Sequence, residues 1–413
     1  MRDNDVRGEG QGVKGKNDTY PSPLIPRPLH APRPLRSRGV VLACITTATF
    51  TDLVAYSVGV PVLPDFATRF NAGPTTIGLL FASFGVSLLT LSVPMGARSD
   101  RLGRKRPMIA ALLLLALSTA AFAYAQSLAM LFVARMAQGA ADALTWIVGL
   151  AMIADLYGPE ERGRAMGLAM AGSTVGIIVG PVVGGWLYEV GGIRLPFLAV
   201  AALAGIDMIV FALVAPNTTG SGTATPLREI LQHRAIAITL LVVVAAAATI
   251  AMLEPVMPLV FRSRFGLGPA AIGTVFGVAG ASSSIMHPIC GRLSDRWGGR
   301  RLMMMGLLGS ALALPLLNLA TSFTTAVLTI VPVWVCFSLV GTPSLTYVAD
   351  AASAAGVKSF GVVYGVYNVA WAVGLMAGPA LGGFLLERIG FGSLTIGWSL
   401  LLLVTSLILA RLH

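Results

Sequence analysis

Charge is scarce in this sequence. Only 11% of its 413 residues are Asp, Glu, Lys or Arg, whereas a soluble chain carries about 25%. Histidine occurs four times and cysteine three times, and their spacing fits neither a metal site nor a disulfide framework. No nucleophile–base pair or glycine-rich phosphate loop is present, so no metal, no cofactor and no enzyme activity is expected. Residues 1–38 lack the apolar stretch and cleavage site of a secretory signal. Basic and proline-rich, they read as a disordered cytoplasmic tail.

Apolar residues take the place of charge: 55% of the chain is hydrophobic and the mean hydropathy is +0.80. Windows of about 20 apolar residues, the length that crosses a bilayer, recur near 39–62, 75–97, 107–125, 129–156, 164–188, 194–215, 234–261, 269–290, 301–319, 323–350, 361–386 and 391–411. Twelve transmembrane helices are therefore expected in an all-α membrane protein. The net charge of +11 is unevenly placed. With both termini cytoplasmic, the inner loops hold most of the loop arginines and lysines and the outer loops few, as the positive-inside rule requires. The excess charge reports topology in a cell membrane, and no nucleic-acid partner is expected.

The chain repeats itself. "GARSDRLGRKR" at 96–106 returns as "GRLSDRWGGRR" at 291–301, and "GIIVGPVVGGWLYE" at 176–189 returns as "GLMAGPALGGFLLE" at 374–387. Each pair falls at equivalent places, which divides the chain into six-helix bundles at 39–215 and 234–413, joined by a cytoplasmic linker at 216–233. Parallel repeats of this kind place the substrate site between them near mid-membrane and work by rocking of one half against the other. Glycines four apart, as at Gly176, Gly180 and Gly184, make a flat helix face for close packing, and Pro181 invites a bend beside them.

Ionisable residues inside spans cost about 2.5–3.5 kcal/mol each on insertion scales and mark function by default. Thr49, Asp52 and Tyr56 form one stripe on the first helix, and Arg135, Gln138, Asp142 and Thr145 another on the fourth. Glu254 sits beside Pro255 and Pro258 on the seventh helix, and Asp350 near the inner end of the tenth. Tyr364, Tyr367, Asn368 and Trp371 share a face of the eleventh. Asp142, Asp207 and His287 read equally well as structural glue. Asp52, Glu254 and Asp350 against Arg135 leave a presumed cavity net negative by two. Such a cavity attracts cations, lets protons compete for the same carboxyls and offers aromatic rings to an ammonium.

The chain resembles transporters of the major facilitator superfamily over nearly its full length. Gly96, Asp100, Arg101, Gly103 and Arg104, with Asp295 in the second copy, resemble the family's signature loop, which acts there as a cytoplasmic latch. G-x-x-x-G-P-x-x-G-G in the fifth helix resembles the motif of its proton-driven antiporters. "FTDLVAYSVGVPVLPDF", "ARMAQGAADA", "DLYGPEERGRAMG", "LEPVMPL" and "YVAD" are similar to vesicular amine transporters and bacterial drug-efflux relatives. The resemblance implies a proton antiporter that exports amines or amphipathic drugs as a monomer. It assigns Asp52 and Glu254 to the cation, Asp350 to proton coupling and Arg135 to the same polar network. Two departures count: a lysine in the second helix and an aspartate in the eleventh, paired in the animal proteins, correspond here to Phe84 and Asn368, and the first outer loop, Ala67–Thr76, is short where theirs is long and glycosylated. Proton-coupled transport of neutral solutes such as sugars is the main alternative; a membrane enzyme or sensor is disfavoured.

Overall fold

A computed structural model describes residues 35–216, 234–354 and 360–411, and every regular element in them is helical. The expected tail and linker lie outside the described residues. The elements are α1 (Leu35–Ser57), a 3-10 turn (Val60–Val62), α2 (Leu63–Arg69), α3 (Pro74–Leu102), α4 (Lys105–Ala123), α5 (Leu128–Leu156), α6 (Pro159–Gly191) and α7 (Arg194–Val214). The second half follows with α8 (Arg234–Phe265), α9 (Pro269–Trp297), α10 (Gly299–Ala313) running into a 3-10 turn (Leu314–Leu319), α11 (Phe323–Ala354) and α12 (Phe360–Arg411).

Among the described residues, eleven segments are long and apolar enough to cross a membrane, the last covering Gly365–Leu407. Its parent helix α12 has 52 residues, roughly 78 Å at 1.5 Å per residue, far more than a ~30 Å hydrocarbon layer needs. Gly390 breaks it with φ 77° and ψ 169°, so α12 is two spans and the total is the expected twelve. Gly103 and Gly298, at the same place in the two repeats, also take positive φ (79° and 83°), a conformation costly for any other residue. They end α3 and α9. Gly96, Asp100 and Arg101 therefore belong to α3 itself, and Asp295 to the last turn of α9; only Gly103 and Arg104 form the turn. The loop expected over 96–106 is shorter than its motif because nothing before Gly103 interrupts the helix.

Glycine faces set the packing. Gly172, Gly176, Gly180 and Gly184 of α6 lie against Thr46, Phe50, Ser57 and Val58 at the α1 end of the same half. Gly374, Gly378 and Gly382 of α12 lie in the same way against Ala247, Ala248 and Met252 of α8. Lipid is as apolar as leucine, so these contacts gain from close van der Waals fit rather than from water exclusion.

The halves join along two related seams, α3 on α12 and α6 on α9. A Cβ at Gly78 would stand 2.2 Å from the Pro379 carbonyl oxygen, and one at Gly273 would stand 2.1 Å from that of Pro181. Gly383 meets Pro74 and Gly185 meets Pro269 in the same way. Gly85 against Met376 and Gly280 against Ile178 carry the seams to mid-depth. All these close approaches lie between the middle of the helices and the end opposite the basic 103–106 and 298–301 turns.

Candidate functional site

The α1 helix turns two faces to its own half. Thr51 donates to the carboxylate of Asp207 on α7, and Thr49 donates to the Ala169 carbonyl of α6 at 3.1 Å. These bonds hold α1 in rotation, so that Asp52 and Tyr56 point to the bundle centre, where they are 2% and 7% exposed. Asp207 is thus the structural glue that one reading of the sequence allowed.

From α5, Arg135 reaches the same place and is 3% exposed. Its Nη1 donates to the Tyr56 carbonyl at 2.9 Å and to Gln138 Oε1 at 3.0 Å. Gln138 in turn donates to Thr119 Oγ1 of α4 at 3.1 Å. The guanidinium lies 4.3 Å from the Phe81 ring centre, 4.6 Å from Tyr56 and 5.1 Å from Phe84. Three rings thus hold one buried cation by its π-faces. Helices α3 and α5 come close enough for this because residue 139 is glycine: a Cβ there would stand 2.4 Å from the Phe84 carbonyl oxygen. Arg135 Nε and Nη2 and Asp52 Oδ2 are buried without a hydrogen-bond partner. Unsatisfied charged atoms at mid-membrane are costly, and they are polar groups available to a ligand.

Glu254 comes from the other half, on α8, and is likewise buried. The Tyr56 hydroxyl donates to its carboxylate, so the two halves are tied by a hydrogen bond at the heart of the molecule. Asp142 completes the cluster. It is buried on α5, two turns from Arg135, and its carboxyl meets that of Asp52.

The structure thus brings together Asp52, Tyr56, Arg135, Gln138 and Glu254 of the expected site. It does not bring Asp350 there: that residue is exposed near the end of α11. Asp142 takes its place in the charge count, so three carboxyls still face one guanidinium. The described rings of α12 contact α11. The Tyr367 hydroxyl pairs with Ser344 Oγ of α11 at 3.1 Å, and Trp371 lies 5.9 Å from Phe337. Asn368 is exposed, and the Tyr364 side chain lies outside the described residues. Of the signature turn, Arg104 is buried and bonds Asp155 Oδ2 at 3.1 Å and Ser99 Oγ at 2.7 Å, both in its own half. The side chains of Asp100 and Arg101 lie outside the described residues. Asp295 is exposed.

Phe81, Thr119 and the Asp52–Asp142 contact escaped sequence reasoning. A phenylalanine in an apolar helix carries no signal, although Phe81 and Phe84 at i and i+3 do share a face.

The sequence pattern of the Major Facilitator Superfamily matches residues 45–371 and 239–412. A probable vesicular acetylcholine transporter-B of Danio rerio is 30% identical over 387 residues, covering 89% of this chain and 78% of that protein. A synaptic vesicular amine transporter of Mus musculus is 30% identical over 319 residues, covering 76% of this chain and 62% of its own length. Among solved structures, a bacterial homologue of the human lysosomal transporter Spinster, inward-facing and occupied, superposes with a TM-score of 0.79 at 17% identity over 92% of this chain and 98% of that one. A human organic anion transporter superposes at 0.66 with 20% identity, covering 91% and 100%. At these identities the two structures speak for the fold alone.

Proposed function

We propose, for a chain that belongs to the major facilitator superfamily, a cation–proton exchange run at the acidic cluster between its halves. The observation that carries this reading is the Tyr56–Glu254 bond beside Asp52. It places acids of both halves at one buried site, so that whatever the acids bind is sensed by both halves. If ionised, three carboxyls around one guanidinium leave an excess of two negative charges, which favours cations over anions.

The exchange follows from charge balance. With the carboxyls protonated, the site releases its cation to one side of the membrane; after the halves rock, protons leave to the other side and the next cation enters. Asp52 and Glu254 bind the ammonium, with Tyr56 and Gln138 as neighbouring polar groups. Asp350, at the exposed end of α11, exchanges protons with bulk water. The glycine seams, together with Pro181 and Pro379, serve as the surfaces on which the halves rock. The relatives named as transporters of acetylcholine and of amines support a positively charged organic substrate. With the basic turns cytoplasmic, the direction is export across a cell membrane, amines and amphipathic drugs being the substrate class. A membrane potential contributes ~2.3 kcal/mol per net charge moved per 100 mV.

The test uses inside-out vesicles carrying a preset pH gradient. Added organic amines should dissipate the gradient, and Asp52→Asn or Glu254→Gln should abolish the response. A response to neutral sugars and none to amines would replace the cation with a neutral solute.

A further inference from the structure

Asp142 enters the exchange just described only through its charge, yet it sits at its centre. It is buried, its carboxyl meets that of Asp52 of α1, and its other side-chain neighbour is Trp146 on its own helix. The other charged or titratable groups facing the pair are Arg135 of α5, Tyr56 of α1 and Glu254 of α8. None of them neutralises it directly: the described bonds of Arg135 go to Tyr56 and Gln138, and the Tyr56 hydroxyl goes to Glu254. Asp52 Oδ2 stays without a donor. Two carboxylates in contact repel strongly, whereas one proton placed between them turns repulsion into a charge-assisted hydrogen bond.

We propose that Asp52 and Asp142 hold one proton between them in the empty site, and that this is the proton an arriving cation displaces. The step balances in charge: the cation, held by Asp52 and Glu254, replaces one positive charge with another as the proton shared with Asp142 leaves to water. The proposal rests on the exchange reading and sharpens it, because it gives Asp142 a coupling role.

The experiment measures proton release when purified protein binds tetraphenylphosphonium, a cation with no proton of its own, in weakly buffered detergent solution with a pH indicator. Wild type should release a proton as it binds. Asp142→Asn should still bind, with release cut to less than half, and Asp142→Glu should restore it; thermal unfolding verifies that each variant is folded. Undiminished release from Asp142→Asn would overturn the proposal. So would lost binding in that variant, since Asp142 would then be a cation ligand rather than a proton partner. Failure of wild type to bind any cation would instead overturn the exchange reading itself.

A second inference stands on a separate observation, at the end of the molecule where the seams close. Glu387 of α12 accepts a hydrogen bond from the backbone N–H of Thr75 at 2.9 Å, capping the first turn of α3 from the opposite half. Glu189 of α6 lies over Gly268, at the first turn of α9. The two helix starts are copies, "GPTTIGLLF" at 73–81 and "GPAAIGTVF" at 268–276, and so are the motifs that carry the glutamates. We infer that these carboxylates are a symmetric latch, each stabilising the unpaired N–H groups of a helix start across the seam. Spin labels at Thr68→Cys and Ser263→Cys, exposed on opposite halves, report the separation by pulsed dipolar spectroscopy. The Glu189→Gln/Glu387→Gln double variant should shift the distribution towards longer distances. An unchanged distribution would overturn the latch.

Discussion

The Tyr56 hydroxyl donates to the Glu254 carboxylate across the boundary between the halves, and the Tyr56 ring faces the Arg135 guanidinium from 4.6 Å. One side chain thus links the acid of the second half to the cation of the first. A hydrogen bond to a charged group contributes about 1.5–3 kcal/mol. Tyr56→Phe keeps the ring and removes that link. It should weaken closure of the halves and shift the open–closed ratio by roughly 10-fold or more. Distance distributions across the seam measure the shift; a ratio equal to wild type would mean that the bond adds nothing to closure.

Arg135→Lys tests the three-ring enclosure. Lysine keeps the charge but has no planar face to lie between the Phe81, Tyr56 and Phe84 rings. The variant should lose transport and melt several degrees lower in detergent. Wild-type melting and uptake would show that charge alone suffices.

Gly78→Ala and Gly273→Ala each push a methyl into a proline carbonyl of the opposite half. Both should hold the seams apart and stop transport while the protein stays inserted. Gly205→Ala on α7, where a Cβ meets nothing within 4 Å, is the matched control and should transport normally. Uptake assays on membranes with equal protein levels distinguish the two outcomes.

The proposed exchange has protons and cation competing for the same carboxyls, so cation affinity should rise with pH. Linkage sets the slope at about tenfold in Kd per pH unit for each proton displaced. Glu254→Gln removes one competing carboxyl and should flatten the profile as well as weaken binding. Titration calorimetry at several pH values checks both; a flat profile in wild type would remove proton competition from the mechanism.

The twelve spans, the repeat and the glycine faces were legible in the sequence because each depends on residues close along one helix. Asp52 with Tyr56, and Arg135 with Gln138, were legible for the same reason: helical periodicity puts them on one face. Periodicity does not report at what depth one helix meets another. For that reason Asp350 was expected beside Asp52, yet it stands near the end of α11. Asp142 was left open between structural glue and function, and it meets Asp52.

By itself, then, the sequence determined an α-helical membrane protein in two related halves, with acids buried mid-span, because hydropathy and turn-by-turn spacing are local quantities. Only the tertiary structure decided which acids share a site, which rings enclose Arg135 and which end of the seams is closed. Those depend on the registry of helices far apart in the chain, set by where glycines let two backbones touch.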